Sequence, residues 1–149
     1  MNKLDSSTVV QIGIIVKDAE KAASVYARVF GVPKPAVVPI ADDSFAHTNY
    51  RGDPSTAKGK AAFFELGPVQ MELIEPVGAP STWEEFLRTH GEGLHHIAFK
   101  TADMPAARKF LACEGMDTVQ HGGWDGGQYA YVDGSKQLGT ILELLYFEK

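Results

Sequence analysis

The chain has 149 residues, 44% hydrophobic and 22% charged, the proportions of an ordinary globular domain rather than a disordered or fibrous chain. Its 14 basic and 19 acidic side chains leave a formal net charge of -5, which excludes a dedicated nucleic-acid binder with a basic stripe. The longest aliphatic run, residues 12–16, falls far short of the roughly 20 residues a bilayer span needs, and residues 1–7 lack the apolar core of a secretory signal. A cytoplasmic protein with one compact domain over residues 1–149 is expected.

Residues 9–16 are rich in β-branched side chains and end at charged ones, which predicts a buried strand. Asp18 follows as an N-cap. Ala22, Val25, Tyr26, Val29 and Phe30 then recur at helical spacing, predicting a helix with that face apolar. Gly31 stops it and Pro33 prevents its resumption. Residues 37–40 read as a short edge strand because of Pro39. Residues 42–59 are polar and broken by Gly52-Asp53-Pro54-Ser55, the pattern of a long mobile loop. Residues 61–66 and 69–74 read as strands joined by a Gly67-Pro68 hairpin turn, with Pro76 ending the second.

Ser81 with Glu84, and Thr82 with Glu85, form overlapping capping boxes that open a linker helix over about 81–90. Residues 94–100 form another strand. Asp103 caps a helix with Ala107, Phe110 and Leu111 on one face, ended by Gly115. The single Cys113 cannot form an internal disulfide, which fits a reducing compartment, and it is expected to pack in this helix as a small hydrophobe. Residues 116–120 read as a strand, 121–127 as a glycine-rich loop, and 128–132 and 140–146 as the last two strands.

The chain repeats itself. One offset lays Gln11-Ile12-Gly13-Ile14 on His96-Ile97-Ala98-Phe99, Asp18 on Asp103 and Ala22 on Ala107. A shorter offset lays Met71-Glu72-Leu73-Ile74 on Leu142-Glu143-Leu144-Leu145, the polar loop of the first half taking up the difference. Each half reads strand–helix–strand–strand–strand. Four polar residues interrupt apolar strands at equivalent places: Gln11 with His96, and Glu72 with Glu143. A buried carboxylate needs a cation, hydrogen bonds or a proton to offset desolvation. Two carboxylates, an imidazole and an amide related by a pseudo-two-fold could meet at one cation. Nitrogen and oxygen ligands without thiolate suit Zn, Ni, Co, Mn or Fe in an open site. Taken singly, each residue also has an ordinary reading, as a solvent-facing Glu or a satisfied core His.

Four segments carry a resemblance: Gln11-Ile-Gly-Ile-Ile-Val-Lys-Asp, Met71-Glu-Leu-Ile-Glu-Pro, Gly91-Glu-Gly-Leu-His-His-Ile-Ala-Phe and Gly139-Thr-Ile-Leu-Glu-Leu. Through them the chain resembles the vicinal oxygen chelate superfamily, which includes glyoxalase I, bleomycin- and fosfomycin-resistance proteins and extradiol dioxygenases. The segment over residues 71–99 looks most like methylmalonyl-CoA epimerases. The resemblance implies an α+β fold of two βαβββ modules forming a cup-shaped, incompletely closed β-barrel. Module one covers about 9–76 and module two about 93–147. It implies one divalent metal ion held by Gln11, Glu72, His96 and Glu143, and a homodimer. Two places depart from the epimerase pattern. Gln11 stands where epimerases usually have His, so that Gln, Glu, His, Glu looks like the zinc-type glyoxalase I set, and Val132-Asp133-Gly134-Ser135-Lys136 replaces a His-Pro-Lys segment.

The activity so implied is that of a divalent-metal-dependent isomerase or epimerase. It abstracts a proton next to a metal-bound carbonyl through an enolate, with Glu143 as base and Glu72 as its partner. Its substrate would be a small molecule, an acyl-CoA or a thiol adduct. The alternatives are a glyoxalase I-like lactoylglutathione lyase and a metal-free small-molecule binding or resistance protein. With one His among the four ligand places, the set weighs against a two-His iron oxygenase. Strand alternation turns His95 away from His96, making it a hydrogen-bonding or packing residue. Gln70 shares its strand face with Glu72 and is expected to donate a hydrogen bond to the site. Trp124 and Tyr129 either line a substrate pocket or pack a loop. Arg51, Lys58 and Lys60 either meet an anionic substrate at the mouth or lie in solvent, and His47, His90 and His121 are expected in solvated loops.

Overall fold

The computed structural model describes residues 1–149. The chain order is β1 (Gln11–Ile15), α1 (Ala19–Phe30), β2 (Val38–Ile40), β3 (Asn49–Tyr50), β4 (Asp53–Pro54), β5 (Lys58–Leu66), β6 (Val69–Val77), α2 (Thr82–His90), β7 (Gly93–Lys100), α3 (Met104–Cys113), β8 (Thr118–Trp124), β9 (Gly127–Gly134), α4 (Ser135–Leu138) and β10 (Thr140–Phe147). The strands form one sheet in the order β2-β5-β6-β1-β7-β10-β9-β8-β3-β4. It curls into an open cup of mixed α/β character.

The repeat is visible in the register. In the first half, Gln11 of β1 pairs with Gln70, and Gly13 with Glu72, in parallel. In the second half, His96 of β7 pairs with Ile141, and Ala98 with Glu143, also in parallel. The halves meet where β1 and β7 run antiparallel, with Gln11 opposite Ala98 and Gly13 opposite His96. Strand alternation then assigns the faces. Met71 and Leu73 point to a core under α1, and Leu142 and Leu144 to a core under α3. Glu72 and Glu143, between them, point to the other face, into the cup.

Helix α1 is capped as its sequence dictates, with the Asp18 side chain accepting from the Lys21 N–H and Gly31 left-handed at φ 66. Its packing face only partly matches the expected one: Ala22 and Tyr26 pack against the core, but its centre is elsewhere. Ala19, Ala23 and Ala27 are buried against the sheet, while Val29 is 67% exposed and Phe30 52%. The small stripe lets the helix sit close to strands that carry Phe64, Met71 and Leu73. The larger side chains of the sheet fill the space that large helix residues would have taken.

Three other expectations are corrected. The stretch expected to be a mobile loop contains the β3–β4 hairpin, which crosses to the far edge and pairs Asn49 with His121 and Tyr50 with Gln120 of β8. Two-residue strands carry no readable alternation. The glycine-rich segment is strand, not loop: β8 runs on to Trp124 and turns through Asp125-Gly126 into β9. Asp-Gly is a hairpin signal in its own right. The glycines serve close approach, since a Cβ at Gly122 would lie 2.8 Å from the Ala46 carbonyl oxygen and one at Gly123 2.9 Å from that of Phe45. Helix α4 has no counterpart in the sequence reading, and Cys113 is exposed rather than packed.

The alanine face of α1 sets a stability order. Ala23→Leu is expected to cost about 1–3 kcal/mol by overpacking, and Val29→Ser less than about 0.5 kcal/mol. Equilibrium denaturation reads both, and the reverse order would contradict the helix placement.

Candidate metal centre

The antiparallel seam and the two parallel pairings carry Gln11, Glu72, His96 and Glu143 to one point at the base of the cup. His96 is fully buried, and the other three are nearly so. Three oxygens crowd its Nε2: Glu143 Oε2 at 2.7 Å, Gln11 Oε1 at 3.1 Å and Glu72 Oε1 at 3.7 Å. Ligand atoms of Glu72, His96 and Glu143 all lie within 4.8 Å of one another. Gly13 makes the approach possible, because a Cβ there would fall 2.0 Å from His96 Cε1.

The imidazole alone does not satisfy this arrangement. An imidazole nitrogen offers one hydrogen in one direction and cannot serve three oxygens. Glu143 Oε2 accordingly has no hydrogen-bond partner despite its burial and its closeness to Nε2. The close contact is not an ion pair either. Burial pushes His96 down to about 3, and burial pushes Glu143 up to about 8. Burial first, and then the charge of Glu143, hold Glu72 well above the usual carboxylate range. Near neutral pH the metal-free site therefore holds a neutral imidazole and a protonated Glu143, with Glu72 shifted in the same direction. A divalent cation would remove these mismatches together, and one nitrogen with hard oxygens is a donor set for Zn, Ni, Co or Mn.

Neighbouring side chains orient these residues. Gln11 Nε2 donates to Gln70 Oε1 at 2.7 Å, which turns the Gln11 carbonyl oxygen inward. Gln70 in turn donates to Glu65 Oε1 at 2.7 Å. Gln70 thus accepts from the site, where donation was expected. His95 and His96 share a hydrogen bond between their Nδ1 atoms at 2.9 Å. When His96 supplies that hydrogen, its Nε2 presents a lone pair to the oxygens' meeting point. His95 is buried with its ring edge-on to Phe86 and Tyr131, a packing and hydrogen-bonding residue as expected.

Above the four residues lies a cavity of about 420 Å³. Trp124 and Tyr129 line it, one of the two roles their sequence left open. Phe63, Tyr131, Leu145, Phe147, Asp42 and Asp43 also line it and were not singled out beforehand. A signal for two of them existed: counting back from the hairpin turn puts Phe63 opposite Glu72, and the repeat puts Tyr131 opposite Glu143. Burial, reinforced by Glu143 and Glu72, raises Tyr131 well above its ordinary value, so the phenol keeps its proton.

Of the three cations left either at the mouth or in solvent, none lines the cavity, and only Lys58 reaches its rim. Arg51 pairs with Glu85 at 2.9 Å, Lys60 approaches Glu75 at 3.7 Å, and Lys58 pairs with Asp42 while pointing to a separate polar cavity. Nearby acids captured each of them. His47 is exposed, whereas His90 ends α2 and His121 lies half-buried in β8 rather than in a loop.

A family model described as the Glyoxalase/Bleomycin resistance protein/Dioxygenase superfamily matches residues 10–131. The chain belongs to that superfamily. The protein named Uncharacterized protein YqjC of Bacillus subtilis (strain 168) is 31% identical over 147 residues, covering 97% of this chain and 91% of that one. The mitochondrial methylmalonyl-CoA epimerase of Mus musculus is 29% identical over 97 residues, covering 64% of this chain and 47% of the epimerase. This match thus spans less than half of the epimerase. Among solved structures, hypothetical protein BH1468 from Bacillus halodurans C-125 superposes with a TM-score of 0.66 at 21% identity, covering 97% of each chain. Methylmalonyl-CoA epimerase from Mycobacterium tuberculosis superposes with a TM-score of 0.64 at 17% identity, covering 100% of this chain and 93% of that one. These structures share the fold.

The shifted carboxyls give a pH dependence with a fixed sign. In the metal-free protein, between the ordinary carboxylate range and about 8, folded Glu143 holds a proton that the unfolded chain has lost. Stability from this source falls as pH rises. His96 acts in the opposite sense, but only between about 3 and 6.5. Above that range the carboxyls act alone. The melting temperature of metal-free protein should therefore fall from about pH 6.5 to about 8.5 more steeply than that of Glu143→Gln. A flat or rising profile for the wild type would contradict the assignment.

Proposed function

We propose that this protein is a divalent-metal-dependent isomerase of the epimerase type, moving a proton on a carbon next to a carbonyl. One observation carries the reading. Two carboxylates from pseudo-equivalent strands, Glu72 and Glu143, flank one buried imidazole, with Gln11 completing the set. Epimerisation needs groups that remove a proton on one face of a carbon and return one on the other. A pseudo-two-fold supplies such a pair. The solved relatives include methylmalonyl-CoA epimerase in complex with methylmalonyl-CoA and NH4+, which matches in fold over 93% of this chain with a TM-score of 0.60 at 22% identity.

In this reading Gln11, Glu72, His96 and Glu143 hold the ion. When bound, it supplies the electrophile that stabilises negative charge on the substrate's carbonyl oxygen as the neighbouring C–H bond breaks. Glu143 Oε2, without a hydrogen-bond partner and turned to the meeting point, takes the proton. Glu72, protonated at the start of the turnover, faces it and delivers that proton to the opposite side, leaving Glu143 protonated and Glu72 ionised for the reverse direction. The Tyr131 hydroxyl accepts from Trp83 Nε1 at 3.0 Å, leaving its own hydrogen free to turn toward the developing oxyanion. Burial keeps bulk water from competing for these groups.

The test is solvent exchange. Metal-loaded protein in D2O is offered a panel of 2-substituted carbonyl compounds that includes methylmalonyl-CoA, and deuterium at the α-carbon is followed by NMR. Wild type should incorporate deuterium, and Glu143→Gln should slow this by at least about a hundredfold with unchanged circular dichroism. Near-normal exchange by Glu143→Gln refutes the role given to Glu143.

A further inference from the structure

We infer that this site takes an uncharged carbonyl compound bearing an aromatic or branched apolar group, rather than a substrate carrying a carboxylate or phosphate. The inference rests on the proposed reaction and names its substrate class.

The walls of the cavity are the first argument. Phe63, Trp124, Tyr129, Leu145 and Phe147 surround the space above Glu72 and Glu143. Trp124 meets Phe147 edge to face, with ring centroids 5.5 Å apart. The indole lies over the backbone of Gly127, where a Cβ would come within 2.3 Å of Trp124 Cζ2. This aromatic wall is thus fixed by the β8–β9 turn itself. At about 420 Å³ the cavity has the size and character of a small-molecule pocket, apolar walls above a few converging polar groups.

Charge is the second argument. A divalent cation at the base would be offset by Glu143 and, once its proton is delivered, by Glu72, and its remaining charge would meet the carbonyl oxygen of the substrate. The rim is set by Asp42 and Asp43, which follow a left-handed Ala41 at φ 56. Asp42 is paired with Lys58. The Asp43 side chain accepts only the Phe45 N–H at 2.9 Å and has no basic partner at the mouth. The cavity lining contains no Lys or Arg. An anionic substituent would pass or sit against Asp43 with no cation among the lining residues, and like charges at short range discriminate against it. An acyl-CoA would also have to run its phosphates out past this rim.

Three hydroxamates share a bidentate oxygen head and differ only in the tail: acetohydroxamate, benzohydroxamate and 4-carboxybenzohydroxamate. Calorimetry on cobalt-loaded protein measures their affinities, and the cobalt absorption bands report whether the head engages the ion. Benzohydroxamate should bind about tenfold or more tighter than either of the others. Trp124→Ala and the milder Trp124→Phe should erode the gain from the phenyl group. Asp43→Lys, at an exposed position, should narrow the gap between the carboxylated and uncharged probes. Equal or tighter binding of the carboxylated probe to wild type overturns the inference, as does an unchanged gap in Asp43→Lys. In both cases a shift of the cobalt bands leaves the proposed metal chemistry standing. Cobalt-loaded protein whose bands respond to none of the probes overturns that chemistry, and the substrate class with it.

Discussion

The structure turns on a crowd of oxygens around one imidazole nitrogen. Desolvation keeps His96 neutral and keeps the carboxyls of Glu72 and Glu143 reluctant to ionise. A core that needed only packing would gain nothing from such residues, since apolar side chains would fill the same space without desolvation cost. What would reconcile them is a positive charge larger than a proton, placed where their lone pairs meet.

Every level of the fold serves that meeting. The parallel pairings fix each carboxylate one strand away from the seam, and the antiparallel seam brings the two halves' polar residues together. The seam is not symmetric in detail. Gly13 and Ala98 occupy equivalent places, and the one lacking a side chain stands opposite the larger ligand, His96. The ladder from Glu65 through Gln70 to Gln11 and the ring of His95 hold Gln11 and His96 in orientation from behind. The cup above is then free to vary, and in the proposed reading its aromatic wall and acidic rim select the substrate while its base carries the reaction.

Much of this was legible in the sequence, and the reasons are physical. Strand alternation and the internal repeat identified Gln11, Glu72, His96 and Glu143, because a polar residue inside an apolar strand stands out against its neighbours. The capped helices showed themselves through Asp18, Ser81 and Asp103, each of which accepts a backbone hydrogen bond from its first turn. What was not legible depended on contacts far along the chain. The burial of Ala19, Ala23 and Ala27 in preference to Val29 and Phe30 depends on how much room the sheet leaves. The crossing of Asn49 and Tyr50 to β8 has no local periodicity to announce it. The capture of Arg51, Lys58 and Lys60 by neighbouring acids is likewise invisible until the acids' positions are known.

X-ray absorption on protein loaded with zinc or cobalt and then dialysed probes the base of the cup most directly. The account predicts one ion per chain in a shell of one imidazole nitrogen and several oxygens, with no sulfur, and loss of the ion in His96→Ala. Protein that retains no ion after dialysis, or a shell containing sulfur or several imidazoles, would contradict it.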